Sequence, residues 1–299
     1  MHRRHWLTAT ALAALPAATP LRAQTEEFPA RPVRMLMPFA AGGAPDVIAR
    51  LVSQQLSKLW NQSVVVENRT GANSIVAAEA VAKAPPNGYT LLFTTGSHTT
   101  NPSIYRKLPF DTQRDFVPVT QVVTTQALVL VVNPQLPIRS VADFIAAGKA
   151  GKIAFGSPGV GNTLHLPGEL LNVRTGTKLL HVPYKGAAPA LTAVIGGEIQ
   201  AVFLTPTAAL PVIKANQVRP LAVTSAARVP LFPDLPSLAE SGVPDFDYNG
   251  GWMGLFAPGK TPPEVVKKIA DGVRQALKVP EVATRISSES STAVGSTPE

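Results

Sequence analysis

The sequence predicts an α/β fold, on three observations. Short apolar runs rich in Val, Ile and Leu alternate with longer stretches whose apolar residues recur at helical spacing. Runs and stretches follow one another along the chain, the pattern of strands joined by helical crossovers and hence of a parallel arrangement. The 29 prolines sit mostly between these elements, as at Pro85, Pro86, Pro134, Pro137, Pro230, Pro233, Pro236, Pro262 and Pro263, where they stop helices and stiffen turns.

In chain order, 33–38 reads as a buried strand. Segment 46–59 carries apolar residues at 48, 51, 52, 56 and 59, a helical stripe. Strand 64–67, helix 75–83 and strand 90–94 follow. Further strands are expected at 127–132 and 152–155, a helix at 165–172, a strand at 179–182, a helix at 187–195, and strands at 201–204 and 220–224. No internal repeat is visible. The length fits two domains of ordinary size.

The first residues read as a leader. Arg3 and Arg4 precede a short apolar run from Trp6 to Ala18, and a small residue, Ala23, precedes the expected cut. The run is too short to span a bilayer. Its arginine pair is compatible with the general secretory route and with the twin-arginine route. Loss of the leader's three arginines lowers the net charge from +8 to +5. The remaining basic residues are scattered and aromatics are few, which speaks against nucleic-acid binding. Cysteine is absent, so thiol catalysis and cysteine-type zinc sites are excluded, and an exported chain of this length must be stabilised by its core.

Ligands in open α/β sheets bind outside the carboxyl ends of the strands. Four strand-to-helix turns therefore matter: 39–46, 95–103, 156–165 and 183–189. In the first, Gly42 and Gly43 allow close approach to the backbone, and Pro45 and Asp46 suit a helix start. This is either a tight turn with Asp46 as a helix cap or an anion site made of free amides. The second offers hydroxyls, an amide and His98. In the third, GSPGVGNTLH, a dinucleotide reading fails for want of a third glycine and of an acid after the next strand. A small-anion cradle with Ser157, Asn162 and Thr163, or a plain glycine turn, both remain open. The fourth offers Tyr184 and Lys185. Ser97, His98 and Asp46 could be imagined as a triad, but no G-x-S-x-G elbow is present, and nothing resembles a metal site. Four polar turns without a reactive constellation suggest binding of something small and anionic.

Seven stretches then carry a resemblance: PVRMLMPFAAGGAPDVIARLV (32–52), VVVENRTGAN (64–73), AAEAVAKAPPNGYTLLF (77–93), NPSIYRKLPFD (101–111), HLPGELL (165–171), HVPYKGAAPAL (181–191) and LAVTSAARVPLFPDLPSLAESG (221–242). In this order they resemble the Bug family, the substrate-binding proteins of tripartite tricarboxylate transporters. The resemblance implies a two-lobed periplasmic binding protein of the type II-like, Venus-flytrap kind, with two crossover strands at the hinge. It implies a leader at 1–23, a first lobe from 24–126 and 250–299, and a second from 127–249, with crossings near 124–127 and 248–252. Carried onto this chain, the ligand site is expected at Phe39, Ala40, Gly42, Gly43, Asp46, Thr95, Gly96, Ser97 and His98 on the first lobe. The second lobe is expected to offer Ser157, Gly161, Asn162, Thr163 and His165, with Tyr184 and Lys185. The implied partners are a small carboxylate and the membrane subunits of the transporter. The chain is expected to be a periplasmic monomer without cofactor, metal or catalytic residue.

Departures from the family pattern add expectations. Where members carry an acid and an amide after a GG-x-[IV]-D segment, this chain has GGEIQAVFLT, with Leu204 and Thr205 in those places. Simple carboxylates are therefore expected over α-amino acids. Asn73 and Ser74 replace a more glycine-rich stretch. Family members continue past the STPE position with a last helix, so a chain ending at Glu299 is expected to expose an apolar patch. Two rivals stand beside the receptor: an exported α/β enzyme acting on a carboxylate or ester, and a structural or sensing protein without transport. The enzyme would need a nucleophile beside a base, and the sequence shows no such motif. Intact glycines at 42, 43, 159 and 161 speak against a dead site.

Overall fold

A computed structural model describes residues 27–288 and 291–298. The expected leader lies outside the described residues. Two sheets form, each with helices on both faces. The first half of the first lobe runs β1 (Val33–Met37), α1 (Ala44–Trp60), β2 (Val64–Asn68), α2 (Ile75–Ala82), β3 (Thr90–Thr95), α3 (Ser97–Ile104) and β4 (Phe116–Thr125). The second sheet is built from β5 (Val129–Val132), α4 (Val141–Lys149), β6 (Ala154–Ser157), α5 (Leu166–Thr175), β7 (Leu180–Pro183), α6 (Ala187–Ile195), β8 (Ala201–Leu204), α7 (Pro206–Lys214) and β9 (Arg219–Val223). The chain then returns as β10 (Gly251–Pro258), α8 (Pro263–Leu277), α9 (Pro280–Ser288) and β11 (Ser291–Ala293).

The strand orders are β11-β4-β10-β3-β1-β2 and β7-β6-β8-β5-β9. The parallel expectation holds for β1 with β2 and β3, and for β6 with β7 and β8. It fails where the chain changes sheets. β10 is antiparallel to β3 and β4, and β5 is antiparallel to β8 and β9. A strand that enters from the other sheet carries no crossover helix to reverse it, so it meets its neighbours head to tail.

α1 shows how the sequence builds this frame. Pro45 lies in its first turn, where a missing N–H costs nothing, and Lys58 in its last. Asn61 ends it in a left-handed conformation. Ile48, Val52 and Leu56 are fully buried against the first sheet, with α8 and α9 on the same side. Each such side chain contributes roughly 1.5–3 kcal/mol by burial. The opposite face packs α2 through Ala77, Ala78 and Val81. In the second sheet, Phe144, Phe155 and Phe203 fill one face and Ala190, Val194 and Val202 the other. No helix among the described residues is long and apolar enough to cross a membrane.

The two sheet-changing segments run side by side. The Thr224 amide donates to the Leu128 carbonyl at 2.9 Å, and its hydroxyl donates to the Tyr248 carbonyl at 2.7 Å. The Leu128 amide in turn donates to the Thr224 hydroxyl at 2.8 Å. A β-carbon on Gly250 would stand 2.5 Å from Thr125 Cγ2 and 2.9 Å from the Ala127 carbonyl, so only glycine lets the strands pass this closely.

One segment is strained. Ala72, Asn73 and Ser74 have φ of 45, 46 and 78°, a left-handed run without glycine. Each such residue costs roughly 1–2 kcal/mol. The Ser74 hydroxyl is also buried without a partner. Ser74→Gly is therefore expected to stabilise the chain by about 1 kcal/mol, after the entropy that glycine adds to the unfolded state. The urea midpoint should rise; a lower midpoint would show that the strain lies elsewhere.

Candidate functional site

A cavity of about 320 Å³ lies between the two sheets, at the carboxyl ends of β1, β3, β6 and β8. From the first turn it is lined by Phe39, Ala40, Gly42 and Gly43, with Ala44, Pro45 and Val47 of α1. Thr95 lines it from the second turn, and Pro158, Asn162, Thr163 and Leu164 from the third. The fourth turn contributes Ala187, Ala188 and, one turn later, Leu191.

The first turn is organised by Asp46, whose carboxylate does not line the cavity. It is 3% exposed and accepts bonds from the Gly42 amide at 3.1 Å, Arg50 Nε at 2.9 Å and Asn68 Nδ2 at 2.8 Å. Burial alone would raise its pKa. Arg50, Asn68 and the Gly42 amide outweigh burial and hold it below the usual carboxylate range. Gly42 thus spends its N–H on the protein, and the Ala40 amide donates across the cleft to the Lys185 carbonyl at 3.3 Å. Among the described residues, the amides of Gly43 and Ala44 have no protein partner.

The remaining expected residues fall into two groups. Gly96 lies at the cavity's edge; a β-carbon there would meet Thr163 Cγ2 at 3.2 Å and the Trp252 indole nitrogen at 3.6 Å. Asn162 lines the cavity and ties the lobes, donating to Ser97 Oγ at 3.0 Å and Asn73 Oδ1 at 3.3 Å. Ser97 is fully buried behind Thr95, sharing a 2.9 Å bond with its hydroxyl. Gly161 faces the other lobe, where its carbonyl accepts from Thr100 Oγ1 at 3.0 Å. Lys185 brings its carbonyl to Ala40, and its side chain is not on the cavity wall.

The second group sits behind the wall. Ser157 Oγ is 2.6 Å from His181 Nε2. His165 accepts the Gly161 amide on Nδ1 at 3.0 Å and meets Glu169 at 3.1 Å through Nε2. The His165 and His181 rings are 3.9 Å apart. Burial lowers both pKa values, that of His181 to about 4 with help from His165. Tyr184 packs beneath α6 with the apolar core of the second sheet. His98 points into an aromatic nest of Phe110, Phe116 and Phe256, 1% exposed, with both ring nitrogens unpartnered.

Several lining residues went unread in the sequence. Thr125, Gly250, Trp252 and Met253 come from the sheet-changing segments. Thr207, Ala208, Pro211 and Val212 come from α7; just before it lie Leu204 and Thr205, noted in the sequence only as a departure from the family pattern. Arg285 of α9 reaches the wall from an exposed position. Pro206 and Pro211 hide α7 from a pattern search, although proline in a first turn is a helix-start signal.

Three helices begin at this cavity: α1 after Gly43, α6 after Gly186 and α7 after Thr205. None of them has a side-chain cap bond. Their amide ends carry partial positive charge. The described lining includes no Asp, Glu, His, Lys or Ser. Such a lining suits an anion.

Two α/β lobes facing a cleft of this kind define a solute-binding protein of the periplasmic type. The chain belongs to the tripartite tricarboxylate transporter family of receptors, whose pattern matches residues 48–294. It is 36% identical to the protein BugT of Bordetella pertussis over 286 residues, covering 94% of this chain and 86% of BugT. Among solved structures it is similar to R. palustris Rpa4515 with adipate, at 35% identity and a TM-score of 0.85, covering 91% of each chain. It is also similar to MatC of Rhodopseudomonas palustris with bound malate, at 30% identity and a TM-score of 0.84, covering 89% of this chain and 91% of MatC.

Proposed function

We propose that this chain captures a small carboxylate between its lobes and delivers it to the membrane subunits of a tripartite tricarboxylate transporter. Residues 24–126 with 250–299 serve as one lobe and 127–249 as the other. The observation that carries the reading is the convergence of three helix starts without side-chain caps on one cavity without an acid. The free amides of Gly43 and Ala44 hold the carboxylate, with Asp46 fixing the turn from behind. The adipate and malate bound by the two relatives support the ligand class. We read 1–23 as a leader that sends the chain to the periplasm by either export route, where it acts as a monomer.

A few charge-assisted bonds of roughly 1.5–3 kcal/mol each and lobe closure suffice for about micromolar affinity, on the order of −8 kcal/mol. Gly43→Val tests the site. A β-carbon there has nothing nearer than Pro45 Cδ at 3.7 Å, and its φ of −78° suits any residue, so the variant folds. Calorimetry is expected to show carboxylate affinity lower by roughly 100-fold or more. A folded variant with unchanged affinity would remove the first turn from the site.

A further inference from the structure

The two lobes also meet beside the cavity, on a seam that needs no ligand group to complete it. On the second lobe, Asn162 is 2% exposed, and its amide oxygen accepts the Leu164 amide of its own turn at 2.9 Å. Its nitrogen donates across to the first lobe, to Ser97 Oγ at 3.0 Å and to Asn73 Oδ1 at 3.3 Å. Asn162 therefore borders the cavity with its polar atoms already engaged. On the first lobe, Asn73 is 4% exposed and its Nδ2 donates to Asn101 Oδ1 at 2.9 Å. Asn101 Nδ2 donates back to the Asn73 carbonyl at 2.9 Å. Thr100 Oγ1 adds a bond to the Gly161 carbonyl at 3.0 Å.

Both backbones are adapted to this seam. Asn73 has a φ of 46°, which glycine adopts more easily, yet glycine would bring no side chain to the other lobe. Facing it, the second lobe presents glycines. A β-carbon on Gly159 would stand 3.2 Å from Asn73 Cβ, and one on Gly161 would run into Ile104 Cδ1. Buried amides need partners, and the nitrogen of Asn162 finds its own on the first lobe only while the lobes touch.

We propose that Asn73 is a positioning residue for ligand capture, a latch that holds the lobes together through Asn162 before a ligand completes the contact. The inference rests on the reading above, in which the ligand sits between the lobes. The turn that carries Asn162 also brings Thr163 and Leu164 to the cavity, so the latch fixes where that wall stands. When only part of the empty chain is closed, affinity is reduced by that fraction. The latch raises the fraction, so less of the ligand's binding free energy goes into closure.

The test compares the full mature chain, freed of solute by unfolding and refolding, with Asn73→Gly and Thr100→Val. Glycine accepts the left-handed backbone and valine keeps the β-branch of threonine, so both variants fold, which a single cooperative urea transition checks. Small-angle scattering without ligand is expected to give both variants a larger radius of gyration than the wild type, Asn73→Gly the larger of the two. With adipate and malate as probes, calorimetry is expected to show a dissociation constant for Asn73→Gly roughly fivefold or more above the wild type. Equal radii for the three proteins, even with a lowered urea midpoint, overturn the latch, and so does a radius shift without loss of affinity. A wild type that binds neither acid, beside variants that show the radius shift, leaves the latch standing and counts against the carboxylate reading.

Discussion

Gly186→Val abolishes ligand capture while leaving both lobes folded. Gly186 opens α6 directly against Ala40 of the other lobe: a β-carbon would stand 3.1 Å from Ala40 Cβ and 3.2 Å from its amide nitrogen. Its φ of 165° is extended, so valine adopts the same backbone without strain. The added methyl groups therefore act on the gap between the lobes. They block the Ala40 to Lys185 bond and hold the cleft ajar. The unliganded variant should melt near the wild type, because each sheet keeps its own core. Affinity should fall by roughly 100-fold or more, and the compaction that ligand induces in small-angle scattering should vanish. Retained affinity would mean that binding does not require this closed contact.

Acid weakens the fold through His98. Its ring is sealed among Phe110, Phe116 and Phe256, and burial lowers its pKa from 6.5 to about 4. A histidine with a depressed folded pKa contributes its full stability above its unfolded value. That contribution is lost as pH falls from about 6.5 towards 4, because the unfolded chain then binds a proton that the folded chain refuses. The loss is about 3 kcal/mol for this shift. His181, also lowered to about 4, titrates in the same window. His98→Phe should be neutral or stabilising at pH 7, since neither ring nitrogen has a partner to lose. At pH 4.5 it should be clearly more stable than the wild type by urea denaturation. Parallel stability curves for the two proteins would place the acid sensitivity elsewhere.

Much of the frame was legible because local and tertiary signals agree there. α1 announces itself by Pro45 and Asp46 at the start and by buried Ile48, Val52 and Leu56 along one face. β8 and α6 were bounded to the residue, each being a short apolar run between turn residues. α3 read as a loop, since SHTTNPSI has no apolar stripe and holds Pro102. Its helix is held by tertiary bonds, Asn101 to Asn73 and Thr100 to Gly161. β4 and β10 were missed because they belong to the sheet-changing segments, where Pro118, Gly251 and Gly254 interrupt the strand pattern. α8 was overlooked even though Val266, Ile269, Ala270 and Val273 lie on one helical face.

The candidate site was legible in its turns and less so in its roles. Spacing placed Asp46, Ser157 and His165 in turns that meet at the cavity, but it could not show which side of the backbone each one serves. All three support the turn from behind. The groups proposed to face the ligand in the first turn are amides, which every residue carries, so only geometry distinguishes Gly43 and Ala44 from Gly42. The α7 wall was hidden for a different reason: threonines and small apolar residues carry no chemical signature until a cavity gathers them.

Native mass spectrometry of the mature chain, gently purified from the periplasm of a strain fed mixed organic acids, tests the central claim most directly. The expected spectrum shows one small carboxylate per chain, lost from Gly43→Val at the same concentrations. A chain that instead carries an amine or a neutral solute at one per molecule, with acids excluded in competition, would contradict a carboxylate receptor.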